Sequence, residues 1–408
     1  MPPTGAEGGD VVRAEVLEVE MALSQPLVTG YGSTDTRRTV LVHLVGEDGA
    51  EGWGEAAALD HPFYLPDTTS GTFAVTAEWA LPLSLDGPAD ARSVAARLVA
   101  IRGNTFAKSG VESAFWCLEA ARCGVSMAQL FAAEAGATVQ AGATVQAGAG
   151  EGTPPAIRDH VPAGATIGIH PDVESTLAAV RLAVGKGYRR VKLKVEPGWD
   201  EAIVAPVRED LGPEALLQVD ANGSYTPTDE DLGMLERLDA YSLACIEQPL
   251  GWDDLDGHAR LQARLTTPIC LDECLRSAAD VRRAIEMGAC RNVNLKPGRV
   301  GGIVESLAVH RFCQEARVPL WCGGMLESGI GRASNLALCA LPGFNQPADI
   351  SPPLERYRYD LVDPTYQVQR DGTVAVPDAP GLGFQVATAR ISEHTIRRVE
   401  VAVGSGRR

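Results

Sequence analysis

A chain of 408 residues with 45% hydrophobic content exceeds one ordinary domain and is able to bury a large core. Its formal net charge of -17 excludes a phosphate-backbone ligand, which calls for a basic face, so no nucleic-acid partner is expected. There is no run of about 18 apolar residues, and Met1 to Asp10 lack the basic start and apolar segment of a signal peptide, so a cytoplasmic protein without membrane contact is expected.

The first third reads as an α+β cap. Val11 to Met21, Arg38 to Val45 and Gly52 to Glu55 have strand character, with Gly49 in the last turn, an antiparallel meander. Ser24 to Thr36, with Tyr31 at its middle, is a polar, glycine-containing loop of the kind that carries binding residues. Ser93 to Ile101 and Ser109 to Cys123 place apolar residues at helical spacing, and Gly124 stops the second helix. Gly136-Ala-Thr-Val-Gln-Ala is then repeated at once from Gly142 and followed by a Gly/Pro-rich run to Pro155. So short a copy buries no core, and residues 136–160 read as an extended linker at a domain boundary. The organisation expected is a cap over 1–135, this linker, a barrel over 161–348, and a segment over 349–408 that returns to the cap.

After the linker, strand and helix alternate. Candidate strands are Ala165 to Ile169, Arg190 to Val195, Leu216 to Val219, Leu243 to Ile246, Pro268 to Leu271, Asn292 to Leu295 and Pro319 to Cys322. Helical stretches such as Val173 to Lys186, Ser277 to Met287 and Ile303 to Ala316 lie between them, which means a parallel sheet. Units of about 25 residues fit a closed (β/α) barrel better than an open doubly wound sheet, although repetition alone leaves both open. Nine scattered cysteines form no CxxC pair and read as reduced, mostly buried thiols. Cys270 and Cys274 have no His at ligand spacing, so zinc is not expected.

Charged residues sit where such a sheet should be apolar. Lys192 and Lys194 share one face of their strand while Val191, Leu193 and Val195 take the other. Paired cations at this spacing depress each other's proton affinity, which makes a lysine a base near neutral pH; an edge strand with solvent-facing lysines is the competing account. Asp220, Glu247, Asp272 and Lys296 each terminate a hydrophobic strand, at intervals of roughly 24 to 28 residues, one strand-helix unit. In a barrel all four emerge at the carboxyl rim, where barrel enzymes place their chemistry, although acids so placed also cap the helices that follow. Three converging carboxylates repel unless something positive sits among them, and an all-oxygen trio suits Mg2+, with Mn2+ as a substitute. Lys194 and Lys296 then approach from opposite sides as acid and base. A carboxylate substrate would lose its α-proton to one of them, the resulting enediolate being held by the cation.

With these residues placed, the sequence resembles the enolase superfamily, within it the muconate-cycloisomerase subgroup, and more closely the o-succinylbenzoate synthase / N-succinylamino acid (N-acylamino acid) racemase family. The resemblance runs from about Val11 to Phe384. It is carried by Lys192-Leu193-Lys194, Val219-Asp220-Ala221-Asn222, Ile246-Glu247-Gln248-Pro249-Leu250, Leu271-Asp272-Glu273, Lys296-Pro297-Gly298-Arg299-Val300-Gly301-Gly302 and the stretch from Trp321 to Gly329. What it implies is a barrel of the modified TIM type, with an α+β cap formed by the N-terminal third and the C-terminal segment. Asp220, Glu247 and Asp272 become metal ligands, Lys194 and Lys296 the acid/base pair, and Lys192 the neighbour that keeps Lys194 partly neutral. Asn222 and Glu273 orient ligands, Gly323-Gly324-Met325 lies against the substrate's acyl chain, and the Ser24 to Thr36 loop closes over substrate through Tyr31. A small-molecule carboxylate substrate and a homo-oligomer are implied too. The activities implied are dehydration to o-succinylbenzoate for menaquinone synthesis, racemisation of N-acyl amino acids, or both. Dipeptide epimerisation, lactone-forming cycloisomerisation and a non-catalytic binding role on this scaffold are the alternatives. One departure is Ala348-Asp349-Ile350-Ser351-Pro352-Pro353, where the family carries Gly-Asp-Thr-Ser-Ala-Ser.

Overall fold

Val40, Leu41, Val42 and Leu44 are all fully buried, the continuous apolar run of a strand covered on both faces. They belong to the first of two principal sheets in a computed structural model that describes residues 10–29, 32–142 and 156–403. This sheet is antiparallel: β1 (Val11–Thr29), β2 (Gly32–Gly46) and β3 (Glu51–Ala56) form a meander, and the last strand of the chain, Thr395–Val401, joins the free side of β1. The C-terminal segment therefore completes the cap. The cap helix Thr105–Cys123 lies on β3 of this sheet through Gly110, Ala114 and Leu118. Its approach is close enough that a Cβ on Gly54 would overlap the Gly110 carbonyl, which is why β3 carries glycine there.

The second sheet is parallel. After β4 (His160–Pro162) come β5 (Gly164–Ile167), β6 (Arg190–Lys194), β7 (Leu216–Asp220), β8 (Ile246–Glu247), β9 (Ile269–Leu271), β10 (Asn292–Leu295) and β11 (Leu320–Cys322). From β5 to β11 each strand pairs with the next in sequence order, with a helical segment between successive strands. Residues 344–349 close the sheet on itself. Phe344 bridges Leu320, Ala348 bridges Ala163, Gly164 N donates to Ala348 O at 2.8 Å and Asp349 N donates to Cys322 O at 2.9 Å. The architecture is a modified TIM barrel beneath an α+β cap. A short ribbon of β4 with β12 (Thr373–Ala375) adds a third sheet, and the cap's closing strand is β13 (Thr395–Val401).

Two expectations need correction. Ser24 to Thr36 is not an irregular loop: β1 and β2 form one long hairpin, with Leu27 opposite Thr34 and Thr29 opposite Gly32 after a register shift between Ala22 and Leu27. Leu27 to Thr29 pair with Gly32 to Thr34 in the ladder, and Ser24 N donates to Arg356 O at 2.7 Å. Tyr31 lies outside the described residues. The supposed linker also begins later than its composition suggests, because the helix Met127–Gly142 runs through the first Gly-Ala-Thr-Val-Gln-Ala copy. Alanine and glutamine are strong helix formers and extend a helix already nucleated over a buried Phe131. The second copy starts at Gly142, and from Ala143 on it lies outside the described residues.

Candidate active site

Lys194, Asp220 and Glu247 are cross-strand partners on β6, β7 and β8: Lys194 pairs with Asp220, and Asp220 with Glu247. Asp272 follows the last residue of β9 and Lys296 the last residue of β10. Five successive strands thus present Lys, Asp, Glu, Asp and Lys at one rim, the amines at the two ends and the acids between.

Each carboxylate is buried and each is held by a cation. Lys194 Nζ donates to Asp220 Oδ2 at 2.6 Å and also to Asn222 Oδ1. Lys296 Nζ donates to Asp272 Oδ2 at 2.6 Å and to the Tyr64 hydroxyl at 3.0 Å. Glu247 takes Lys192 Nζ at 3.0 Å, Gln218 Nε2 at 2.7 Å and Asn294 Nδ2 at 2.6 Å. Among the described residues no three His, Cys, Asp or Glu side chains are grouped as they stand to hold a metal ion. Ammonium groups take up the carboxylate oxygens that a metal would share.

Burial and charge pull the acids apart. Burial, then the charges of Asp272 and Asp220, push the Glu273 carboxyl up to about 8, while Asn222 Nδ2 satisfies only its Oε1, at 2.8 Å. Glu273 Oε2 is buried and unpartnered. Burial and the neighbouring Asp220 lift Glu247 to about 7. Asp272 goes the other way: burial opposes its charge, yet Lys296 and Arg299 outweigh that and hold it at about 2.

Lys192 lies among acids, on the same strand face as Lys194. It contacts Asp349 Oδ2 at 2.7 Å, Glu247 Oε2 at 3.0 Å and Asp220 Oδ2 at 3.4 Å. Burial works against its charge, but Asp349, Glu247 and Asp220 hold it well above the ordinary lysine range, so it is a fixed cation bridging acids of three staves. Gly323 lies beside Lys296: a Cβ there would press on Lys296 Cε and the Asn294 amide. Gly324 backs instead onto Arg332 and the Asp349 carbonyl, and Met325 turns into the seam between barrel and cap, its N–H donating to Glu327 Oε2 at 2.8 Å.

Several residues at the rim escaped the sequence reading. Gln218 and Asn294 lie two positions before Asp220 and Lys296 on the same strand faces, so the period of two that paired Lys192 with Lys194 would have found them. Arg299, one helical turn after Lys296, is fully buried against Asp272, Leu275 O and Asn294 O. Tyr64 comes from the cap, its hydroxyl donating to Asp272 Oδ1 at 2.8 Å, and nothing local in sequence marks it. Asp349 ends the closing stave with Arg190 at 2.5 Å, and that stave was too short to register as a strand.

Comparison with known proteins agrees with this geometry. Residues 11–132 match the mandelate racemase / muconate lactonizing enzyme N-terminal domain, and residues 175–390 match the enolase C-terminal domain-like family. An o-succinylbenzoate synthase of Geobacillus stearothermophilus is 38% identical over 92% of this chain and 94% of its own. An N-succinylamino acid racemase of Thermus thermophilus is 39% identical over 94% of this chain and 96% of its own. A crystal structure of an enolase superfamily member from Listeria innocua superposes with a TM-score of 0.86 at 34% identity, covering 97% of this chain and 100% of that one. The chain is an enzyme that belongs to the enolase superfamily, in the family that holds o-succinylbenzoate synthases and N-succinylamino acid racemases.

Proposed function

We propose that this enzyme removes the α-proton of a small carboxylate substrate in a Mg2+-dependent reaction, acting as an N-succinyl- or N-acylamino acid racemase, an o-succinylbenzoate synthase, or both. The observation that carries the reading is the strand order, which sets Lys194 and Lys296 at the two ends of a row of three buried carboxylates.

The donor set fits Mg2+. Asp220, Glu247 and Asp272 offer only oxygen, the hard ligand type that ion takes, and they would hold it. Glu273 Oε2, beside Asp272, is a further buried oxygen left without a hydrogen-bond partner at this rim. Bound there, the ion would supply a sink for the negative charge that proton removal leaves on the substrate.

The protein's own groups move the proton. Lys194 Nζ serves one face of the α-carbon and Lys296 Nζ the other, so a proton taken by one and returned by the other inverts the centre. Lys296, held as an ammonium by Asp272, is arranged to deliver a proton. Lys192, bridging Asp220, Glu247 and Asp349, keeps the acids from springing apart.

The test is an assay of the purified protein with Mg2+ on the cyclohexadiene carboxylate precursor of o-succinylbenzoate and on N-succinyl amino acids in D2O, following α-proton exchange by NMR. Exchange with inversion identifies the racemase and loss of water the synthase; neither reaction with any substrate would refute the reading. For Asp220→Asn, Mg2+ affinity by calorimetry should fall at least about tenfold. An unchanged titration would remove Asp220 from the ligand set.

A further inference from the structure

Two cap glutamates end against the starts of barrel helices, and neither has a role in the chemistry above. Glu112, on the cap helix Thr105–Cys123, accepts from Val304 N at 2.8 Å and from Trp116 Nε1 at 2.9 Å. Val304 stands in the first turn of the barrel helix Ile303–Ala316, whose own N-cap, Gly302, has no side chain with which to cap it. Gly302 has φ of 137° and a Cβ there would overlap the Glu112 carboxylate, so the glycine both permits the turn and admits the cap's acid. Glu55, at the end of β3, accepts from Ser328 N at 3.0 Å, Ser328 Oγ at 2.6 Å and Gly331 N at 2.9 Å, at the start of the barrel helix Gly329–Cys339. Thr39 Oγ1 holds its other oxygen at 2.8 Å.

These two helices are the ones that follow β10 and β11. A short helix, Pro297–Val300, with Lys296 as its N-cap, leads through Gly301 and Gly302 into the first, and Phe106 of the cap helix packs on its Gly298, where a Cβ would lie 2.7 Å from the ring. The turn before the second carries Gly323, Gly324 and Met325. At the other end of the row the barrel caps its own helices: Asp200 accepts from Glu201 N and Thr228 from Asp231 N, in the helices after β6 and β7. At the Lys296 end Ile303–Ala316 has no side-chain cap of its own, while Gly329–Cys339 has Ser328 Oγ, which accepts from Ile330 N at 3.3 Å and is itself held by Glu55; among these four helix starts only these two take a carboxylate from the cap.

We propose that Glu112 and Glu55 are positioning residues: by capping these two barrel helices from the cap, Glu112 sets Lys296 and Glu55 sets the Gly323–Met325 turn, while Lys194 is placed by the barrel alone. The proposal rests on the two-face assignment of the lysines. Its consequence is asymmetry between enantiomers, which a general loss of stability would not produce.

The experiment measures α-proton exchange of each enantiomer of an N-succinyl amino acid with Mg2+ in D2O, the enantiomer that depends on Lys296 being identified with Lys296→Ala. Glu112→Ala is expected to slow exchange of that enantiomer about tenfold and the other less than about twofold, with Glu112→Gln, which keeps an acceptor, restoring most of the rate. Glu55→Ala is expected to raise KM about tenfold with kcat within about twofold, again with recovery in Glu55→Gln. Equal slowing of both enantiomers in Glu112→Ala, or no change in either parameter in Glu55→Ala, would overturn the proposal. Hydrogen exchange read by mass spectrometry keeps the test open if the wild-type protein exchanges no substrate, an outcome that defeats the two-face reading instead. Residues 296–305 should lose protection in Glu112→Ala and residues 323–333 in Glu55→Ala, with residues 195–205 unchanged. Should an alanine variant not fold, the Glu→Asp change, one methylene shorter, replaces it with the same expected pattern. Unaltered protection in all variants would show that neither carboxylate holds its helix.

Discussion

The two ends of the carboxylate row are built from the same pair of residue types and differ in almost everything around them. Lys194 keeps 30% of its side-chain surface exposed and rests on Asp220 and Asn222. Lys296 keeps 8%, with Asp272 against it, Arg299 behind that acid and the Tyr64 ring 4.6 Å from the ammonium. One amine faces the mouth of the barrel and the other is walled in by the cap. The contrast teaches that in the proposed reaction one face of the substrate is served by the barrel alone, and the other by barrel and cap together.

Removing either amine breaks the comparison outright. Lys194→Ala and Lys296→Ala should each lower racemisation by about a thousandfold or more while Mg2+ titration persists. Substantial racemisation in either variant would mean that one lysine suffices, and the two ends would no longer be complementary.

The next effect concerns stability. Arg299 is fully buried and is the second cation on Asp272, so Arg299→Ala leaves a buried acid short of a partner and should cost about 3–5 kcal/mol. Asn222→Ala at the open end removes one hydrogen bond from the Lys194 amine and one to Glu273 Oε1, strands no buried charge without its ion pair, and should cost about 1–2 kcal/mol. Urea unfolding of both variants decides it: equal costs would show that the Lys296 end is no more tightly built than the other.

A pH dependence sharpens the part that the cap plays. Burial lifts the Glu112 carboxyl from its ordinary 4.5 to about 7. Between those values the unfolded chain has released this proton and the folded chain keeps it, so the folded state binds more protons and stability falls as pH rises from 4.5 to 7. Above 7 the loss is complete. Glu112→Gln cannot ionise, so it should lose about 1–3 kcal/mol less stability than the wild type between pH 5 and pH 8 in urea unfolding. Parallel profiles would assign the slope to other groups.

The barrel and its charged rim were legible because both obey local rules. Apolar strand runs ending in Asp220, Glu247, Asp272 and Lys296 need only a period and a spacing to be recognised, and the parallel pairing sets Lys194, Asp220 and Glu247 level, with Asp272 two and Lys296 four residues further along the same rim. Tyr64, Glu55 and Glu112 were not legible, because their partners lie about 200 residues or more away and their own surroundings look like ordinary cap sequence. The first Gly-Ala-Thr-Val-Gln-Ala copy misled for the opposite reason: low complexity suggested a linker, while helix propensity and a nucleated helix before it decided the conformation.

The smallest effect separates two contributions of Tyr64. Its hydroxyl donates to Asp272 Oδ1 and accepts from Lys296 Nζ, while its ring faces the same ammonium. Tyr64→Phe removes only the hydroxyl. Asp272 keeps Arg299 and Lys296, so the net loss should be about 1 kcal/mol, read as a fivefold or so slower exchange of the Lys296-dependent enantiomer alone. Tyr64→Leu removes the ring as well and should slow the same enantiomer by about a further fivefold, since a cation over an aromatic face adds of the order of 1 kcal/mol. If Tyr64→Phe slowed both enantiomers equally, the hydroxyl would be acting on the shared row of acids through Asp272, and the cap's reach would extend past Lys296 to the whole site.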